Sequence, residues 1–312
     1  MISEISILMP CRDNECYDLV ADISAQAESL IRSGRPLRYE IIVADDGSTS
    51  QAVISRNRRI DALPECTYIV RGRNVGRAAI RNFLARTASY GWLLFMDSDL
   101  KVRSGAFLKN YLDADAPETA YGGYTISGDA DKLRGNLRYR YETRYSRNAS
   151  AEERRKRPYD MFHMSNFAIR RDIMLAHPLD ERVTRYGHED LLFGKTLKKA
   201  GVSVTHIDNP LSFEDFETNA SFMAKTEESV IMLHELRDEL RGYSAVIAAA
   251  DKLGRMRLMP LAAALFRILA KPIKNNLTGN NPSVLLFNMY KLGMFCSLEN
   301  SKTRRQKPQN AS

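Results

Sequence analysis

Short apolar runs that stop at turn signals dominate the first hundred residues. Ile5–Met9 ends at Pro10, Tyr39–Ala44 at Asp45-Asp46-Gly47-Ser48, and Trp92–Met96 at Asp97-Ser98-Asp99. Continuous apolar runs of this length predict strands of a sheet covered on both faces. Between them, Asp18–Arg32 repeats apolar residues at Val20, Ile23, Ala27, Leu30 and Ile31, and Arg77–Ser89 at Ile80, Phe83, Leu84 and Ala88. That spacing predicts helices with one buried face. Strand and helix alternate, so an α/β domain with a mostly parallel sheet is expected. Ser165–Ile169 reads as a return strand, Glu189–Ala200 as a helix closed by Gly201, Val202–Ile207 as a further strand, and Ala220 to Leu240 as helical. The polar, Arg- and Tyr-rich residues 130–160 read as a helix followed by a mobile basic loop.

Composition narrows the class. The 312 residues, 44% hydrophobic and 27% charged, allow one large domain or two ordinary ones with a proper core. The net charge of +8 is unevenly spread: residues 1–250 hold 35 basic and 36 acidic side chains, residues 251–312 hold 11 and 2. A nucleic-acid binder with a basic face across its main domain is therefore excluded from the leading readings. The opening MISEISILMPCRD has no basic n-region, and the uncharged stretch Asn275–Tyr290 falls short of the roughly 20 apolar residues of a spanning helix. Cys11, Cys16, Cys66 and Cys296 form no paired spacing, which points to reduced thiols in the cytoplasm.

Ligands of such sheets bind at the carboxyl ends of the strands, and here Arg12-Asp13-Asn14, Asp45-Asp46 and Asp97/Asp99 follow the three apolar runs. Asp97 and Asp99 fall on one face of an extended segment, where carboxylate oxygens suit Mg²⁺ or Mn²⁺; a solvated turn has the same spacing. Arg77 and Arg81 share a helix face behind Asn74-Val75-Gly76 and can receive a diphosphate, or form an ordinary surface pair. Glu189-Asp190 opens a helix, where acids serve the dipole and cap, or where one can act as general base.

In order, these motifs resemble the family-two glycosyltransferases of the GT-A fold: ILMPCRDNE, Asp45–Ser48, NVGRAAIRN from Asn74 to Asn82, Asp97/Asp99, Glu189-Asp190 in YGHEDLLFG, HIDNP and AKTEES. The resemblance covers about residues 1–230. It implies a Rossmann-like, mostly parallel mixed sheet flanked by helices, with a C-terminal helical extension. It also implies a nucleotide-sugar donor, most often UDP-linked, and transfer with inversion. Pro10, Arg12, Asp45, Asp46, Asn74, Gly76, Arg77, Arg81 and Asp97 would bind the donor, with Asp46 at the uracil and Arg12 beside the nucleotide. Asp97 and Asp99 would hold Mn²⁺ or Mg²⁺, Asp190 would be the base, and Glu189 its neighbour in the motif. One departure is Phe213, which stands where related sequences often place a metal-binding His.

The resulting domain plan is 1–230 catalytic, 231–300 helical and basic, and 301–312 a polar tail without structure. Lys252, Arg255, Arg257, Arg267, Lys271 and Lys274 are interleaved with apolar residues, and VLLFNMYKLGMF (284–295) adds an apolar helix. Such helices either lie on an anionic membrane or pack on the catalytic domain with a basic rim. The expected acceptor is a saccharide or lipid-linked saccharide of surface-polysaccharide synthesis, and no nucleic acid is expected as a partner. The expected location is the cytoplasm, with the inner face of the membrane as a peripheral site. A non-catalytic nucleotide-sugar-binding subunit is the alternative. A nucleotidyltransferase is disfavoured because PCRDNE lacks the glycine such a loop needs.

Overall fold

A computed structural model describes residues 2–146 and 150–306. The strands are β1 (Glu4–Cys11), β2 (Arg38–Asp45), β3 (Cys66–Val70), β4 (Trp92–Met96), β5 (Thr119–Tyr121), β6 (Tyr124–Ile126), β7 (Asn166–Arg170), β8 (Thr205–His206) and β9 (Leu211–Phe213). The helices are α1 (Tyr17–Arg32), α2 (Gln51–Asn57), α3 (Arg77–Thr87), α4 (Phe107–Leu112), α5 (Leu137–Ser146), α6 (Ala151–Arg155), α7 (Arg171–Ala176), α8 (Glu189–Ala200), α9 (Asn219–Glu235), α10 (Ala245–Arg255), α11 (Met259–Thr278) and α12 (Val284–Gln306). The chain divides into two compact units. The first holds Met1–Ser127, Ser146–Thr184 and Glu189–Asp215; the second holds Gly128–Tyr145, Arg185–His188 and Phe216–Ser312.

The first unit is built on a seven-stranded sheet in the order β3-β2-β1-β4-β7-β5-β8, with β7 antiparallel to both its neighbours and the other pairings parallel. The three apolar runs become adjacent central strands, since β1 pairs with β2 and β4 along their lengths. Their carboxyl ends, at Cys11, Asp45 and Met96, therefore share one edge. The return strand β7 runs the other way, so Asn166 at its start lies opposite Met96 and residues 163–165 arrive at that same edge. Leu8, Ile42, Leu93, Phe95, Phe167 and Ile169 of the sheet pack with Ile80 and Leu84 of α3 and with Phe193 and Leu197 of α8. Every one of these side chains is nearly or fully out of water, and burial of each is worth roughly 1.5–3 kcal/mol.

Three segments differ from expectation. Of Val202–Ile207 only Thr205–His206 pairs in the sheet, with Ala120 and Tyr121; Val202 and Val204 are buried by packing rather than by a ladder. The basic segment after α5 is not a loose loop throughout, because Ser150 caps α6 through the Glu153 amide and Arg154 is buried. The Arg154 Nε donates to Nδ1 of the fully buried His206 at 3.2 Å, and Nη2 donates to the Ile207 carbonyl at 2.7 Å. Residues 147–149 lie outside the described residues. The polar stretch expected to lack structure continues α12 through Gln306, and 307–312 lie outside the described residues.

The second unit gathers α5, α9, α11 and α12 around Leu137, Phe222, Met223, Leu277, Phe287 and Tyr290. Its boundary follows contacts rather than a single chain position, and so departs from a simple break at 230. Among the described residues, no helix is long and apolar enough to cross a membrane. All four cysteines are free and buried.

His206 generates a stability prediction. With Nδ1 accepting from Arg154, its Nε2–H donates to the Pro158 carbonyl at 3.0 Å, so the ring is held neutral. Burial, with the charges of Arg154 and Arg155, pushes its pKa down to about 4, against the hydrogen bond to Pro158. A depressed folded pKa contributes stability that is complete above the unfolded value and is lost as pH falls toward the folded one. Urea unfolding should therefore lose on the order of 3 kcal/mol between about pH 6.5 and pH 4 from this group. His206→Gln should flatten the upper part of that slope, above the range where carboxylates titrate. Identical slopes in both proteins would refute it.

Candidate functional site

The site begins with the loops that leave β1, β2 and β4. Asp13 follows β1 in the left-handed region at φ +47°, and its carboxylate accepts the amides of Thr49 and Ser50 at 2.7 and 2.9 Å. Asn14 donates from its side chain to the Ser98 carbonyl at 2.7 Å. The first loop is thus tied to the second and the third. Those backbone hydrogen bonds hold Asp13 below the usual carboxylate range, against a small opposing effect of burial.

Asp45 and Asp46 end β2 and point to different partners. Asp45 is fully buried; it accepts from the Ser48 amide at 2.7 Å and from the Tyr68 hydroxyl. Asp46 is also buried, and its two oxygens accept the amides of Val75 and Gly76 at 2.8 and 3.1 Å. Asn74 supports the same turn by accepting from Gly76 at 2.9 Å. Gly76 caps α3 at φ +92°, and Gly47, at φ +75°, lets the two loops touch, since a Cβ there would sit 2.5 Å from the Asn74 nitrogen. Pro10 lies within β1 opposite Ala44, and Arg12 is exposed just beyond it.

The turn fixes where α3 starts, and α3 carries the two arginines. Their fates differ. Arg77 is half exposed, with Nη1 3.7 Å from Glu189 Oε1. Arg81 is only 3% exposed, and its Nη2 pairs with Asp97 Oδ1 at 2.5 Å. Of the two arginines expected at a diphosphate, Arg77 is thus half exposed and Arg81 is buried against Asp97. Asp97 Oδ2 lies outside that ion pair, and Asp99, two residues on, is exposed.

Glu189 and Asp190 open α8. Glu189 is buried, and burial with the adjacent Asp190 charge pushes its carboxyl above the usual range, against Arg77 and Arg81. For Asp190, burial pushes the pKa up, but the hydrogen bond from His163, the His163 charge and that of Arg81 together bring it below the usual range. Asp190 Oδ2 lies 3.2 Å from His163 Nδ1, while Oδ1 is shielded from solvent and has no hydrogen-bond partner among the described residues. The two neighbouring carboxyls are thus pushed in opposite directions, Glu189 up and Asp190 down. In the second unit, the residue before them, His188, turns its ring to the Ser229 carbonyl at 3.0 Å.

Asp97 and Asp99 are the residues expected to hold a divalent ion. Among the described residues, no group of three or more His, Cys, Asp or Glu side chains could enclose an ion. Asp99 with the outer oxygen of Asp97 nevertheless fits an ion that takes one or two carboxylates and completes its shell with phosphate and water. Phe213 is buried in β9, paired with Ile126 of β6, and His206 is committed to Arg154 and Pro158, so neither supplies the missing ligand.

Sequence reasoning missed His163, Asp13 as a tether, and a cavity of about 420 Å³ beside the Asn74 turn, lined by Arg71, Arg73, Phe83 and Arg86 among others. The only cue to His163 was its place just before the return strand.

Residues 6–176, more than half of the chain, match the model of the family described as Glycosyl transferase family 2. The chain belongs to the family 2 glycosyltransferases. Two curated relatives from Haemophilus influenzae, both described as uncharacterized glycosyltransferases, are 33% identical over 95 residues. That stretch is 30% of this chain and 29% and 36% of theirs, so the match spans about a third of the relatives' length. Among solved structures, the mannosyltransferase PcManGT from Pyrobaculum calidifontis, in complex with GDP-Man and Mn²⁺, superposes with a TM-score of 0.52 at 14% identity. The superposition covers 97% of this chain and 87% of that one, and the two share a fold. The GT-A architecture of this glycosyltransferase family is therefore the architecture of the chain.

The His163–Asp190 contact is testable without substrate. In a carboxyl NMR titration, Asp190 should titrate below an unperturbed aspartate and stay ionised through the neutral range. In His163→Ala its midpoint should move upward, because burial then acts with less opposition. An unmoved midpoint would remove His163 from the site.

Proposed function

We propose that this family 2 member is an inverting glycosyltransferase that moves a hexosyl or N-acetylhexosaminyl unit from a UDP-sugar to an acceptor hydroxyl. The observation that carries the reading is Asp190: a partly exposed carboxylate held below the usual range by His163 at 3.2 Å, within the charge cluster around Arg81. An acceptor hydroxyl delivered to the exposed side of the Asp190 carboxylate loses its proton there as its oxygen forms the new bond to the anomeric carbon. The bond from that carbon to the donor phosphate breaks on the opposite side, and its electron pair leaves with the diphosphate. Hence the configuration inverts.

The remaining residues have separable tasks. Asp97, held by Arg81, and Asp99 would hold Mn²⁺ or Mg²⁺, which when bound supplies positive charge to the departing diphosphate. Arg77 meets the diphosphate from the start of α3, where the amides and helix dipole add to its charge. Arg12 and Pro10 flank the nucleotide from the end of β1. Asp45, Asp46, Asn74 and Gly76 act by shaping the pocket wall, since their polar groups are already bonded within it. A direct contact of Asp46 with the uracil would have to use the outer lone pairs of oxygens that already accept amides. Glu189, whose carboxyl burial and the Asp190 charge push above the usual range, is the more easily protonated neighbour of the base. Synthesis of a surface polysaccharide in the cytoplasm, on a saccharide or lipid-linked saccharide acceptor, is the role we assign.

Asp190→Asn should lower turnover roughly 10²- to 10⁴-fold while leaving donor affinity nearly unchanged. In calorimetry, UDP-sugar binding should require Mn²⁺ or Mg²⁺ and weaken on the order of tenfold or more in Asp99→Ala. Tight, metal-independent binding in both proteins would sink the metal assignment. Such binding without hydrolysis or transfer of any UDP-sugar would favour a non-catalytic subunit instead.

A further inference from the structure

Seven of the eleven exposed large apolar side chains among the described residues fall between Met256 and Met289. Four of them, Leu261, Leu265, Ile268 and Leu269, recur at helical spacing along α11, and Ile268 is 72% exposed. The opposite side of the same helix is already occupied. Phe266, Ala270, Ile273 and Leu277 pack into the core of the second unit, and the Phe266 ring meets Tyr290 of α12 at 5.1 Å. α11 is thus apolar on two faces, one covered and one open.

The charges carried by α11 and its neighbours in sequence are of one sign. No carboxylate occurs from Lys252 through Leu298. The two acids that bound this stretch are internally committed: Asp251 pairs with Arg237 and Arg241, and Glu299 with Arg237 and His234. Of the cations, Lys274 pairs with Glu227, and Lys291 lies half-buried on the rings of Tyr141 and Phe287, where burial brings its pKa down to about 8. Lys252, Arg255, Arg257, Arg267 and Lys271 are all exposed. An apolar stripe interleaved with exposed cations on its own helix is complementary to a surface that is apolar beneath and anionic above.

We propose that the open face of α11 docks this protein on anionic phospholipid, with Leu265 and Ile268 entering the acyl boundary and Arg267 and Lys271 meeting lipid phosphates. The helix lies along the interface rather than through it, in keeping with the absence of a spanning helix among the described residues. This surface stands independently of the transferase reading, because none of its residues belongs to the donor site.

The test is co-sedimentation of the full chain with vesicles of phosphatidylcholine alone and of phosphatidylcholine with about one-third phosphatidylglycerol. Binding should be at least roughly tenfold stronger to the anionic vesicles and should weaken as salt rises. Leu265→Glu/Ile268→Glu and Arg267→Glu/Lys271→Glu should each lose roughly tenfold or more. All four positions are exposed, so an unchanged melting temperature checks that both variants fold. Equal binding to both vesicles, or binding unaffected by the substitutions, overturns the proposal. So does a failure to bind accompanied by a concentration-dependent dimer that Leu265→Glu/Ile268→Glu dissolves, which would assign the face to a second copy of this chain. Donor hydrolysis measured in the same samples separates loss of docking from loss of catalysis.

Discussion

A single buried positive charge organises the functional edge of the first unit. Arg81 is almost wholly out of water, and an uncompensated guanidinium there would cost several kcal/mol. Asp97 supplies the direct pairing, and Glu189 and Asp190 lie close enough for the Arg81 charge to oppose the rise that burial gives each of their carboxyls. Three carboxylates from β4 and α8 thus converge around one cation. Their mutual repulsion is relieved inside the protein, before any metal or substrate arrives. Because Arg81 offsets the burial of Asp190 only with help from His163, the base depends on a contact from the start of β7 as well.

Placing Arg81 is itself a backbone problem. The start of α3 is set by the Asn74-Val75-Gly76 turn, which is clamped by the Asp46 carboxylate and by the left-handed Gly76. Asp13 and Asn14 tie the β1 loop to the loops after β2 and β4. Acidic and amide side chains at strand ends therefore do two different jobs. Asp13 and Asp46 accept amides and hold loops against one another, whereas Asp97 and Asp190 are held by the side chains of Arg81 and His163.

Much of this was legible in the residues. The central strands and α1, α3 and α8 follow from apolar periodicity, since long, uniformly buried elements leave a strong pattern. The short strands β5, β6 and β9 did not, because three residues carry no period, and of the expected strand Val202–Ile207 only β8 pairs, with a partner about 85 residues away. Arg154 was read as part of a basic loop because local sequence gives no sign of the buried His206 that receives it. His163 went unseen for the same reason: its partner is 27 residues on, brought to it by the antiparallel return of β7.

What the sequence by itself determined is the set of groups and their level in the fold: which carboxylates end strands, which arginines share a helix face, and where the unbalanced positive charge lies. Period and turn chemistry are local, so they survive in one dimension. Only the tertiary structure decided how those groups divide. Arg77 and Arg81 are four residues apart on one helix, yet one is half exposed and the other sealed against Asp97. Glu189 and Asp190 are adjacent, yet their pKa values move in opposite directions. Burial and long-range Coulomb interactions set those differences, and neither is a property of spacing along the chain.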